Sequence, residues 1–204
     1  LAWGFNAAES ARSFEAATRA DPKCAICFWG LAWSLGPTIN ADMHKADAAR
    51  VQTAVRRADA LSVNASPRHR ALIAALAARH PKPGIVDEER YAERMRALAR
   101  SSPRDADVLT LAAEAQLNLH PYDWWERDGT PKSWTPELEA LLAAALNVAP
   151  DHPGANHYWI HLMESSATPG RAAPSAAKLE TLVPGSGHLL HMPAHIYMRV
   201  GRYA

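Results

Sequence analysis

Apolar positions recur along this chain at three- and four-residue steps nearly everywhere, and no stretch keeps the two-residue alternation of a strand. In residues 9–20, Ala11, Phe14, Ala17 and Ala20 share one broad face, which stops at Asp21-Pro22. Ala25–Leu35 predicts a second, more apolar helix, ended by Gly36-Pro37, and residues 44–61 predict a long amphipathic one. Pro67–Arg79 follows with Ser66 as N-cap and Pro67 at the first helical position, a favoured pairing. Residues 87–100 put Tyr91, Met95 and Leu98 on one face, and residues 104–119 do the same with Val108, Leu111, Ala112 and Ala115. A Trp-rich insertion at 120–134 breaks the alternation; Thr135 then caps a helix that has Pro136 at its first position. Residues 153–165, 171–182 and 187–200 complete the series. Short helices joined by brief Pro-containing turns make antiparallel hairpins. About five in succession predict an all-α fold, a right-handed α-solenoid with a concave surface.

Punctuating prolines sharpen that expectation. Pro22, Pro103, Pro150 and Pro184 each end a helix carrying Ala or Leu five residues earlier: Ala17, Leu98, Ala145 and Leu179. They lie 81, 47 and 34 residues apart. A step of 34 is one helical-hairpin unit; 47 is a unit enlarged by the Trp-rich insertion, and 81 holds two units with extra residues. Aligned on these prolines, the chain reads Ser10-x3-Phe14-x2-Ala17-x4-Pro22, Tyr91-x3-Met95-x2-Leu98-x4-Pro103, Leu138-x3-Leu142-x2-Ala145-x4-Pro150 and Ala172-x3-Ala176-x2-Leu179-x4-Pro184. In these segments the chain resembles the tetratricopeptide repeat family in degenerate form. The family's Trp-x2-Leu-Gly-x2-Tyr element survives only as Phe28-x2-Leu31-Ala32-x2-Leu35. The resemblance implies a groove lined by the first helix of each hairpin, and the family's usual partner there is a protein or peptide.

Positions seven and eleven residues after each boundary proline fall one turn apart on one helix face. They read Trp29 and Trp33, then Thr110 and Glu114, then His157 and His161, then His191 and His195. The first four are candidate groove residues, and the histidines are candidate metal ligands. His188 lies one turn before His191, and Glu164 one turn after His161. Packed helix axes lie about 8–10 Å apart, close enough for imidazoles from neighbouring helices to meet at one ion. Imidazole with carboxylate suits zinc, copper, iron or nickel without choosing among them. Water on such an ion is a nucleophile near neutral pH, which makes Glu114 and Glu164 the candidate general bases. Duplicated repeats also place like residues in equivalent slots for packing alone, so a structural role for the histidines stays open. Pro193 falls between His191 and His195, and an interior proline kinks a helix or marks its start; a start near Met192 would leave His188 and His191 on a loop.

The remaining features bound the answer more than they sharpen it. With 22 basic and 21 acidic residues interspersed, there is no basic stripe for nucleic acid. No apolar run approaches the roughly 18 residues of a membrane span. Cys24-x2-Cys27 has no second pair to complete a four-cysteine zinc site, and Phe28 stands where a c-type haem motif needs His. A local disulfide or a redox pair remains. Phosphate-loop, dinucleotide and Ser-His-Asp motifs are absent from the sequence. Both ends read as cut, so residues 1–204 are expected to be a single repeat domain from a longer bacterial protein, placed in cytoplasm or periplasm. Three functions fit. One is a helical-repeat protein holding a ligand on a His-rich metal cluster. A second is a metal-free protein-interaction scaffold, and a third is an oxidative or hydrolytic metalloenzyme.

Overall fold

A computed structural model describes residues 2–203. They form ten α-helices and no β-strand among the described residues. The helices are α1 (Ala7–Ala20), α2 (Ala25–Leu35), α3 (Ala48–Leu61), α4 (Pro67–Arg79), α5 (Glu88–Ser101), α6 (Ala106–Leu119), α7 (Thr135–Val148), α8 (Pro153–Glu164), α9 (Ala173–Leu182) and α10 (Gly187–Arg199). The all-α expectation is met. Each of the four boundary prolines follows a helix end by two residues, after Ala20, Ser101, Val148 and Leu182. Proline lacks the N–H and the conformational range needed to continue a helix.

Helix ends follow local chemistry, and several differ from the sequence expectation for that reason. Ser66 caps α4 as expected, its hydroxyl accepting from the His69 N–H at 3.2 Å. Asp105 caps α6 by accepting from the Val108 N–H at 3.1 Å, which moves that helix start from 104 to 106. Residues before α3 and α9 tighten into short 3₁₀ turns, at Lys45–Asp47 and Pro169–Ala172. Thr135 is not a cap: its hydroxyl donates to the Trp124 carbonyl and pins the insertion.

The chain separates into two compact units, one of Asn6–Arg100 and one running from Ser101 onward together with Trp3–Phe5. In the first, α2 packs on α1, α3 and α4. Cys24 and Cys27 form a disulfide at the head of α2, where the Cys24 sulfur also accepts from the Cys27 N–H. Trp29 is buried, donating from its indole to the Leu72 carbonyl at 3.1 Å and stacking on Trp33. Arg79 is fully buried; Glu88 takes its guanidinium in a two-point ion pair at 2.7 and 3.0 Å, and Tyr91 lies beneath it. Planar two-point pairing is what makes a buried guanidinium tolerable.

In the second unit α8 is the central element. It touches α6, α7, α9 and α10, and every residue from Gly154 to Met163 is buried. A helix enclosed on all sides is apolar all round unless its polar groups find partners among its neighbours. The first turn of α8 seats Trp3 against Gly154, where an added Cβ would run into the indole edge. Trp3 is further held by Asp107, to which its indole donates at 2.9 Å, and by the edge of His152. Ser186, the α10 N-cap, donates to the Gly4 carbonyl at 2.5 Å. The Trp3–Phe5 segment is thereby tied to the start of both α8 and α10. Gly154→Ala is therefore expected to cost about 1–3 kcal/mol by overpacking, read as a lowered urea midpoint; an unchanged midpoint would refute the Trp3 seat.

Candidate metal centre

Two facing helical stripes make the site. His157, His161 and Glu164 stand at i, i+4 and i+7 on α8, and His188, His191 and His195 at i, i+3 and i+7 on α10. Such spacings align side chains on one face of each helix, and α8 packs on α10. The second stripe exists because α10 runs unbroken through Pro193. The helix expected over 187–200 forms, and the alternative of a start near Met192, with His188 and His191 on a loop, does not occur. Ser186 caps α10 by accepting from the Leu189 N–H at 3.2 Å, and Pro193 itself is buried in the helix packing.

The five imidazoles close a ring. Successive centroid separations are 4.6 Å from His157 to His161, 5.7 Å to His195, 5.1 Å to His191, 5.0 Å to His188 and 4.9 Å back to His157. Half of the ten histidines in the chain are in this ring. Burial grades across it: His157 and His161 are 0% and 3% exposed, His188 and His195 are half-buried, and His191 faces solvent.

Glu164 sets the protonation pattern. One carboxylate oxygen meets His161 Nδ1 at 3.0 Å and the other meets His195 Nδ1. An ionised carboxylate only accepts, so both Nδ1 atoms carry the hydrogen, and each neutral ring is left with its lone pair on Nε2. This is the carboxylate–histidine arrangement that orients metal ligands and raises their basicity, used twice by one side chain. The His161 Nε2 atom so prepared is buried without a protein hydrogen-bond partner, as is His157 Nδ1. His157 Nε2 lies 2.9 Å from His188 Nε2. One ring nitrogen each from His157, His161 and His188 falls within 4.8 Å of the others. Buried polar atoms without partners cost about 1–3 kcal/mol each, and an ion on His161 Nε2 would remove that cost there.

Aromatic rings wall the cluster. Phe5 lies 3.8 Å from the His157 ring centroid and 5.6 Å from His188, while Tyr158 lies 5.0 Å from His157. Tyr122, at the start of the insertion, meets His161 edge-on at 6.0 Å. Phe5 and Tyr122 are the only non-glycine residues with positive φ among those described, at 55° and 57°. Aromatic side chains rarely adopt that left-handed geometry, so surrounding packing holds both rings at the cluster. The rest of the insertion plugs rather than covers: Trp124 is buried, Trp125 donates to the Leu162 carbonyl at 2.6 Å, and Trp134 stacks on His120.

Electrostatics favour the neutral, ligand form of His157, His188 and His191. Burial pushes His157 well below the usual histidine range, and the neighbouring His161, His188, His191 and His195 push it further. His188 is lowered to about 4 by burial first and then by its neighbours, and His191 is lowered for the same reasons. Burial alone would raise Glu164, but hydrogen bonds and attraction from His161 and His195 outweigh it and hold the carboxyl below its ordinary value. Only neutral imidazole and ionised carboxylate bind metal.

Of the residues singled out from sequence, the structure gathers His157, His161, His188, His191, His195 and Glu164. Trp29 and Trp33 belong to the packing of the other unit. Thr110 is buried and turned back on the Ala106 carbonyl at 2.7 Å, and Glu114 is buried on α6. Phe5 and Tyr158 carried no sequence signal, and Tyr122 showed only as one more aromatic in the insertion. No protein-family model, curated protein or solved structure matches this chain.

The depressed histidines set a pH dependence. Unfolded histidines titrate near 6.5, above the folded values of His157 and His188. Between those values the unfolded state binds more protons, so stability rises with pH. Metal-free protein is therefore expected to lose stability as pH falls from about 6.5 toward about 4. Urea midpoints in chelator measure the loss, and His188→Ala should flatten the profile; an equal slope in both proteins would contradict the assignment.

Proposed function

We propose that this chain is a metal-binding helical-repeat protein that holds a transition-metal ion on His157, His161 and His188. The observation that carries the proposal is their convergence within 4.8 Å, with a buried ring nitrogen on His161, Nε2, that no protein group satisfies. Supporting it, Glu164 orients His161 from behind, and the depressed histidines stay neutral and able to ligate. Three protein ligands leave at least one position open in a four-coordinate site. Half-buried His188 and solvent-facing His191 mark the side from which a ligand would arrive.

The donor set fits zinc, copper or iron. Glu164, engaged at both oxygens, is a positioning residue in this proposal rather than a free general base. The tetratricopeptide-like reading of the helix pairs remains part of the proposal, supported by the prolines that close α1, α5, α7 and α9 at one offset. None of the described helices is long and apolar enough to cross a membrane.

Metal analysis of the tag-free chain after dialysis against Zn²⁺ tests the proposal, because a real site fills close to stoichiometrically. Fewer than about 0.2 equivalents would end it; a protein partner surviving chelation would then return the scaffold reading. His161→Ala with His188→Ala should remove the ion held by this tripod while the far-ultraviolet circular dichroism stays helical. Glu164→Gln should weaken it about 10–100-fold, since an amide accepts from one Nδ1–H and turns a donor toward the other.

A further inference from the structure

We infer that the histidine ring holds two metal ions rather than one, the second on His191 and His195. The inference rests on the metal-binding proposal above and extends it. Two ligand nitrogens bound to one ion at about 2.0–2.1 Å each stand about 2.9–3.4 Å apart, for bond angles between a right angle and the tetrahedral value. Two pairs in the ring meet that condition separately: His157 Nε2 and His188 Nε2 at 2.9 Å, and His191 Nε2 and His195 Nε2 at 3.1 Å. Each pair is hydrogen-bonded in the metal-free chain and has the spacing of one edge of a coordination shell, and the two pairs share no residue.

The ring nitrogens that gather within 4.8 Å of one another belong to His157, His161 and His188; His191 and His195 are not among them. The tripod of His157, His161 and His188 accounts for one ion. His191 and His195 remain, one turn apart on α10, with His195 already fixed by Glu164 so that its Nε2 lone pair points at His191.

Glu164 thus serves both positions, orienting His161 for the first ion and His195 for the second. The two sites differ in exposure. The first is buried and saturated with protein ligands on three sides, whereas the second has two imidazoles, one of them facing solvent. With only two protein ligands, the second ion keeps several coordination positions for water or an incoming oxygen or nitrogen donor. Ions paired in this way act as a clamp on a group that bridges them.

Zn²⁺-loaded wild-type protein and the His191→Ala/His195→Ala double variant, both tag-free, are compared by elemental analysis after equilibrium dialysis. Two equivalents in the wild type, falling to one in the variant, is the expected result. One equivalent in both, or one in the wild type and none in the variant, overturns the second site while leaving a metal-binding chain; none in the wild type overturns the metal proposal itself. Anomalous diffraction from Zn²⁺-soaked wild-type crystals decides the matter independently of how the variant folds. It should show two peaks, one bonded to both His191 and His195, and a single peak shared across the ring would refute the inference.

Discussion

Glu164 reaches His161 on its own helix with one oxygen and His195 on α10 with the other, and that bridge fixes one imidazole on each side of the ring. Burial between helices raises a carboxylate's affinity for a proton; here hydrogen bonds from His161 and His195 outweigh that and hold Glu164 below its ordinary value. Being ionised, it fixes the hydrogen on the Nδ1 of both rings and leaves both Nε2 lone pairs free for the cluster. Electrostatics and geometry therefore reinforce each other. Neutralising Glu164 would release the tautomers, and losing either histidine would raise the carboxyl and loosen the other.

The bridge works because α8 is enclosed. Buried against α6, α7, α9 and α10, it has no solvent with which to satisfy a polar side chain. His157 and His161 consequently have only one another, the α10 stripe, Glu164 and the aromatic wall. That wall is held at a cost, since Phe5 and Tyr122 adopt a backbone conformation that disfavours side chains by about 1–3 kcal/mol each. Strain of this kind persists only where packing over-determines it. For Phe5 the packing is visible: Trp3 sits in the Gly154 notch and Ser186 bonds the Gly4 carbonyl, leaving the next residue little freedom.

Much of the site was legible because helical periodicity and histidine spacing are local properties. An i, i+4 pair requires only a helix, so His157 with His161 was readable from the residues alone, and Glu164 one turn on came with them. The groove slots show the limit of the same logic. Trp29, Thr110 and Glu114 occupy the equivalent register, but whether a register position faces a groove or a core depends on neighbours that spacing does not specify, and all three are buried. Phe5 and Tyr122 were illegible for another reason. Positive φ at an aromatic residue is imposed from outside, and nothing in Gly-Phe-Asn or Pro-Tyr-Asp announces it.

Pro193 shows a local rule meeting a tertiary constraint. Taken alone, an interior proline removes the bond that its nitrogen would give the Leu189 carbonyl and crowds that turn, at about 3 kcal/mol or more. Starting the helix after it would avoid the cost and dissolve the stripe, because His188 and His191 align with His195 only on a continuous helix. Two contacts act against that escape. The Ser186 cap fixes the helix start upstream, and the buried faces of Leu189, Met192, Pro193 and Ile196 commit both turns to the packing of the unit. The helix accepts one missing hydrogen bond in its second turn and in return keeps three imidazoles in register with α8. A continuous α10 is thus a precondition of the ring, and the residue that seemed to argue against the second histidine pair lies inside the segment that aligns it.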